Sequence, residues 1–159
     1  MQSQQQFTEL MTRPTITEMV ARYEQMRGEI RTQLTRDLGV TQWAEQPGSS
    51  NYTGCAREFP DVNVQDVQKQ HPATWYSPTP ISPENWEKAK GTVSSVARRY
   101  GFDKTALVID SANNLQFDLN DKYRSELSFG SAKNTILALT TGCHLTAAAK
   151  QRGEPSPAQ

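Results

Sequence analysis

Four side chains could do metal or nucleophile chemistry: Cys55, His71, Cys143 and His144, which are all the cysteines and histidines of the chain. Structural zinc sites draw their ligands from close Cys-x-x-Cys pairs and His-x-x-x-His spacings. These four show neither, so no metal is assigned. Cys143 beside His144 invites a thiol–imidazole dyad, but neighbours on a strand point to opposite faces, and such a pair converges only where the strand has already ended. Asp110, Asn113, Asn114, Asp118, Asn120 and Asp121 make an acidic, amide-rich stretch that looks like a calcium loop. It lacks the central glycine and the closing bidentate glutamate, and its residues read as turn formers. Asn51-Tyr52-Thr53 is a glycosylation sequon, of consequence only in a eukaryotic secreted protein. No Gly-x-Ser-x-Gly, His-Glu-x-x-His, P-loop or dinucleotide fingerprint occurs. No catalytic residue and no cofactor follow. Binding or scaffolding is the better reading, with Trp43, Trp75 and Tyr76 as candidate lining of a ligand groove, since aromatic rings offer large apolar area with a polar edge. Core packing competes with that role, most strongly at Trp86. In an exported domain, a disulfide is the better use of two cysteines.

The elements that must position these residues belong to a single domain, since 159 residues fall within the ~100 to 200 typical of one. Hydrophobic residues make up 35% of the chain, including three Trp, five Tyr and five Phe, so a modest core is available despite a mean hydropathy of -0.72. Basic and acidic residues number 17 each, with the signs mixed along the chain. A nucleic-acid footprint needs a basic excess or stripe, so nucleic acid is excluded as a partner. No apolar run approaches the ~20 residues that span a bilayer, and the chain does not open on a basic stretch followed by an apolar core. Residues 1–13 are Gln-rich, with Phe7, Leu10 and Met11 as their only anchors, and read as a flexible tether. Residues 149–159 read as a flexible tail, leaving 14–148 as the folded domain.

Apolar residues recur every three or four positions from Ile16 to Leu38, which predicts a helix over Thr15 to Leu38. Thr15 and Glu18 match a capping box, and Gly39 supplies a stop. Ser50 to Phe59 reads as a strand carrying Cys55, Asp61 to Gln70 as a short polar helix, and Trp75-Tyr76 as a short extended piece. A second helix starts at Ser82-Pro83, with Ile81 and Trp86 as a hydrophobic staple, and closes on Gly101-Phe102 in a Schellman ending. Strands follow over Thr105 to Asp110, Leu115 to Leu119, Tyr123 to Phe129 and Asn134 to Cys143, separated by segments with hairpin turn chemistry. The expected fold is therefore α+β, a two-layer sandwich with an antiparallel sheet of about five strands and two main helices on one face.

Several segments together carry a family likeness. Arg13-Pro14-Thr15-Ile16-Thr17-Glu18-Met19 opens a long helix containing Ala21-Arg22-Tyr23-Glu24. Gly54-Cys55, Pro80-Ile81-Ser82, Tyr100-Gly101-Phe102, Asp118, Phe129-Gly130, Asn134-Thr135 and Thr141-Gly142-Cys143-His144-Leu145 follow in order. The chain resembles the LppA-like lipoproteins of mycobacteria and related actinobacteria over most of Arg13 to Ala148. The resemblance implies Cys55 as disulfide partner of Cys143, and a precursor with a secretory signal and a lipid-modified cysteine upstream of Met1. It implies a domain held at the outer face of the plasma membrane, with the polar Gln-rich start as tether. The family brings no defined molecular activity. The expectation is an envelope protein that binds an envelope lipid, a cell-wall ligand or a membrane-protein partner. The rivals are a hydrolase-like enzyme using a histidine, recognisable by His71 or His144 exposed in a pocket and bonded to a carboxylate, and a structural spacer without a groove.

Overall fold

The computed structural model describes residues 2–157. Helix α1 spans Gln2–Met11 and α2 Ile16–Leu38. At the start of α2 the Thr15 hydroxyl accepts from the Glu18 amide, and the Glu18 carboxylate accepts from the Thr15 amide, so both arms of the capping box are formed. At its end Gly39 is left-handed, and its N–H bonds back into the last turn. Helix α3 spans Pro83–Arg98. The Phe102 N–H donates to the Ala97 carbonyl and the Gly101 N–H to the Arg98 carbonyl, with Gly101 at φ 92°, which is the Schellman ending its sequence predicts.

Strands β1 (Ala44–Glu45), β4 (Trp75–Ser77), β5 (Lys104–Ser111), β6 (Asn114–Asn120), β7 (Glu126–Ser131) and β8 (Thr135–Thr140) form one sheet in the order β1-β4-β8-β7-β6-β5. Every pairing in it is antiparallel. The architecture is the expected α+β sandwich, with six strands in place of about five because the two-residue β1 is too short to leave a pattern. Phe117, Phe129 and Leu137 are register partners across β6, β7 and β8. They share one face with Leu115, Leu119, Leu127 and Leu139, and that face meets the buried stripes of both α2 and α3 in a single core. Trp86 stacks on Phe129 with ring centres 5.0 Å apart, and Tyr23 meets Phe102 edge-on at the same distance. Arg27 is wholly buried, its Nη1 donating to the Leu137 carbonyl at 2.9 Å and its Nε to Glu24 at 2.8 Å. Pairing is what makes such a buried charge tolerable.

A second, smaller core lies beside the first. Strands β2 (Asn51–Thr53), β3 (Val67–His71) and β9 (His144–Leu145) form a three-stranded antiparallel sheet. Phe7, Leu10, Phe59, Val62, Val67, Leu145 and Ala149 pack around a Cys55–Cys143 disulfide, with Cα atoms 6.1 Å apart. Helix α4 (Ala147–Arg152) closes the lobe, capped by Thr146.

Four expectations change here. The Gln-rich start is not a loose tether within the described residues: it is α1, because Phe7 and Leu10 lie one turn apart and both bury completely against the disulfide lobe. Residues 149–157 are also docked. Lys150 Nζ donates to the Arg13 carbonyl, and Asp66 accepts from Ser156 and pairs with Arg152 at 2.8 Å. Ala158 and Gln159, also read as tail, lie outside the described residues. The strand expected over Ser50 to Phe59 stops at Thr53, since the amides of Glu58 and Phe59 turn back to the Cys55 carbonyl. The polar helix expected over Asp61 to Gln70 is a turn leading into β3, where pairing with β2 and β9 overrides local propensity. The disulfide therefore joins a turn to the segment before β9, rather than the first strand to the last of one sheet.

Candidate ligand-binding cleft

The three aromatic side chains singled out in the sequence do not converge. Trp75 is the register partner of Leu137 and faces the helices, whereas Tyr76 pairs with Ile136 and faces the other way, as alternate strand residues must. Trp43 packs on the rim of the main core, its indole N–H bonded to the Thr35 hydroxyl at 3.2 Å. Trp75 lies under the Arg31 guanidinium, whose carbon stands 3.6 Å from the ring centre. Trp75 and Trp43 thus brace the helix layer against the sheet. Their role as groove lining would need all three on one surface.

The histidines are also separate. His71 Nδ1 lies 2.8 Å from the Thr140 hydroxyl. His144 is fully buried, with Nδ1 2.9 Å from the Pro14 carbonyl. A carbonyl only accepts, so Nδ1 carries the proton, and Nε2 is buried without a hydrogen-bond partner among the described residues. Burial pulls the His144 pKa down to about 4, which keeps the ring neutral. Among the described residues neither ring is hydrogen-bonded to a carboxylate. Cys143 is committed to the disulfide, so no thiol is left for a dyad with His144. Among the described residues no cluster of three His, Cys, Asp or Glu side chains could hold a metal.

What the fold does assemble is a polar network at the turn between β6 and β7. Asp121 Oδ1 accepts the backbone amides of Tyr123 and Ser125, each at 2.9 Å, and Arg124 takes a left-handed φ of 67° to complete the turn. From α2, the buried Tyr23 donates its hydroxyl proton to Asp121 Oδ2. Ser125 Oγ accepts the Gly142 amide at 3.0 Å and sits 3.1 Å from the Tyr23 oxygen, to which its own proton is free to point. Burial, reinforced by the adjacent Asp121 carboxylate, drives the Tyr23 pKa upward, so the phenol stays protonated. Gly142 is needed sterically: a Cβ there would sit 2.0 Å from the Tyr123 carbonyl oxygen. The motif around Cys143 and the opening of α2 are thereby locked to one turn.

Above this network opens a cleft of about 540 Å³, within the ~300 to 1,000 Å³ usual for small-ligand sites. Met19, Tyr23, Tyr100 and Tyr123 line it, together with Asp121 of the network. Arg22, Lys104, Lys122 and Asp103 stand around it. The Arg22 guanidinium is 5.0 Å from the Tyr100 ring centre and Lys122 Nζ 5.2 Å from that of Tyr123, so two cations rest on aromatic faces. Among the described residues, Arg22, Lys104 and Lys122 form no ion pair with a carboxylate. This cleft was not legible as a site in the sequence. Tyr23 falls there within the helical periodicity and Asp121 among the turn formers, and only the family segments containing Arg22-Tyr23, Tyr100-Gly101 and Gly142 touch it.

A family model described as LppA, "Lipoprotein confined to pathogenic Mycobacterium", matches residues 1–147. The crystal structure of the lipoprotein LppA from Mycobacterium tuberculosis superposes with a TM-score of 0.76 at 14% identity, over 96% of this chain and 92% of that one. A DUF4853 family protein from Actinomyces odontolyticus gives a TM-score of 0.56 at 16% identity, over 85% of this chain and 71% of that one. Comparison with curated proteins finds no match. At such identities the two structures speak to the fold alone.

Proposed function

Because this chain belongs to the LppA lipoprotein family, we propose that it works as a lipid-anchored protein on the outer face of the plasma membrane, binding an envelope ligand in the cleft between Tyr100 and Tyr123. The observation that carries this reading is the construction of the cleft. It adjoins the Tyr23–Asp121–Ser125 network, whose groups already have partners, and the Tyr100 hydroxyl is held by Glu29 at 2.8 Å, while Arg22, Lys104 and Lys122 around it have no carboxylate partner among the described residues. Preorganised walls with unpaired cations are what a site for a charged ligand needs.

A catalytic role finds less support. The Tyr23 proton is held by Asp121, the His144 ring is sealed from solvent, and His71 bonds a threonine hydroxyl, so none of them is poised to move a proton to or from a substrate. Lipid anchoring follows from the family's description as lipoproteins, and the oxidising side of the membrane fits a chain whose two cysteines are joined. Native mass spectrometry of the protein purified from its own envelope tests the reading. An adduct retained by the wild type and lost from an Asp103→Trp variant that fills the cleft is expected. No adduct, or one indifferent to that substitution, would overturn it.

A further inference from the structure

We infer that the ligand of this cleft is anionic and carries a phosphate group, of the size of a phospholipid headgroup or a phosphorylated polyol. The inference rests on the binding reading above and adds the chemistry of what is bound. Three cations from three separate elements surround the opening: Arg22 from α2, Lys104 at the start of β5 and Lys122 from the β6–β7 turn. Several exposed cations elsewhere, such as Lys88 and Lys133, are likewise unpaired among the described residues, so what marks these three is that they gather around one cleft, while other cations do reach carboxylates. Arg99 pairs with Glu29 at 2.9 Å, Lys90 with Glu87 at 2.8 Å and Arg152 with Asp66 at 2.8 Å. The three at the cleft do not, although Asp103 is in the same rim.

Asp121 does not change that balance. Its carboxylate accepts from the Tyr23 hydroxyl and two backbone amides, and the residue is almost fully buried. Of the charged side chains that line the cleft, three are cations, and with Asp121 so held only the carboxylate of Asp103 stands exposed beside them, in a molecule whose net charge is zero. Tyr100 and Tyr123 hold Arg22 and Lys122 over their faces, which limits where those charges can go without neutralising them. Guanidinium beside ammonium suits phosphate in particular. The planar fork takes two oxygens of one group, and the lysines add point charges for a ligand carrying more than a carboxylate's single charge.

The test titrates the full chain with glycerol phosphate and, separately, glycerol, following backbone amide shifts. It is paired with flotation on phosphatidylglycerol and phosphatidylcholine vesicles. Glycerol phosphate is expected to move the amides of Tyr100 to Lys104 and Asp121 to Tyr123, and glycerol to leave them still. A Lys104→Glu, Lys122→Glu double variant should weaken that binding at least tenfold, and binding should fall as salt is raised. Flotation with phosphatidylglycerol alone would assign the phosphate to a lipid headgroup; binding of glycerol phosphate without flotation would assign it to a soluble ligand. If neither phosphate probe shifts the cleft, or if the charge-reversed variant binds as well as the wild type, the anionic assignment is wrong. In that event an adduct in native mass spectrometry that Asp103→Trp removes would leave the cleft itself standing, and its absence would remove both.

Discussion

The two cores of this molecule are built on different principles. The larger one is a helix layer on a sheet, mostly apolar, with rows such as Phe117, Phe129 and Leu137 supplied by strands that pair in sequence order. The smaller one gathers Phe7 from the first helix, Phe59 and Val62 from a loop, Leu145 from a two-residue strand and Ala149 from a six-residue helix. Pieces that short cannot hold one another through backbone pairing alone, and a covalent bond sits at their centre. One region is stabilised by periodic burial and the other by a crosslink, so they should fail under different insults.

The harshest way to expose that difference is reduction. The Cys55–Cys143 bond spans a sequence separation of 88 residues, for which the chain-entropy estimate gives roughly 4 to 5 kcal/mol of stabilisation, set against the ~5 to 15 kcal/mol by which whole domains are stable. Reduced protein should melt many degrees lower. In hydrogen exchange, amides of 2–13, 55–66 and 144–157 should lose protection while those of β6 to β8 keep theirs. Uniform loss across both cores would mean that they are one cooperative unit. Next in size, Phe129→Ala in the large core should cost about 3 to 5 kcal/mol of global stability, measured by chemical denaturation. Phe7→Ala, equally buried, should cost less globally and show chiefly as exchange in the small lobe, because that lobe can open by itself.

Acid should distinguish the cores as well. His144 belongs to the small sheet, and its folded-state pKa of about 4 lies below the ordinary 6.5. The unfolded chain therefore takes up a proton first as the pH falls, and stability should decline from about pH 6.5 to about pH 4 and then level off for this group, by up to about 3 kcal/mol. Asp66 in the same lobe adds to this in stronger acid. Burial would raise its pKa, but hydrogen bonds from Ser156 and the charge of Arg152 hold it below the usual value, so its contribution is lost as the pH falls through that lowered pKa. A His144→Gln variant should flatten the upper part of the profile, and urea titrations at pH 4.5 and 7 would reveal an unchanged slope if the imidazole is not responsible. The smallest effect is at the entrance to the large core. Thr15→Ala removes one arm of the capping box and should cost about 1 kcal/mol, read as a shift in the denaturation midpoint without a change in exchange pattern.

The same division decides what could be read from the sequence. In the large core, Ile16 to Leu38, the Ser82-Pro83 start, the Gly101-Phe102 stop and the hairpin breaks all carry local signals, because periodic burial writes itself into spacing. In the small lobe Phe7 and Leu10 provide one turn of a stripe, and β3 exists because β2 and β9 flank it. Neither is visible in a window of neighbouring residues. The cysteine pairing was legible from count and setting. The cleft was not, since Arg22, the Tyr100 to Lys104 connection and Lys122 are far apart along the chain, and it takes β5–β6 pairing and the packing of α2 against the β6–β7 turn to make them neighbours. Trp43, Trp75 and Tyr76 drew attention by size, and strand alternation then parted them.

The crosslink also decides what a protease can do. Everything from Ala56 to Gly142 lies inside the covalent ring, including the exposed turn at Ala112-Asn113 between β5 and β6. A single cut within that span yields two fragments that remain one molecule, and with an anchor at the N-terminal end both would stay on the membrane. A cut in the exposed stretch from Glu45 to Ser50 lies outside the ring, before Cys55. It would part α1 and α2 from the covalent whole, so that only the packing of the two cores kept the rest of the protein from being shed. One short loop ahead of the first cysteine is thus where proteolysis would turn an attached protein into a released one.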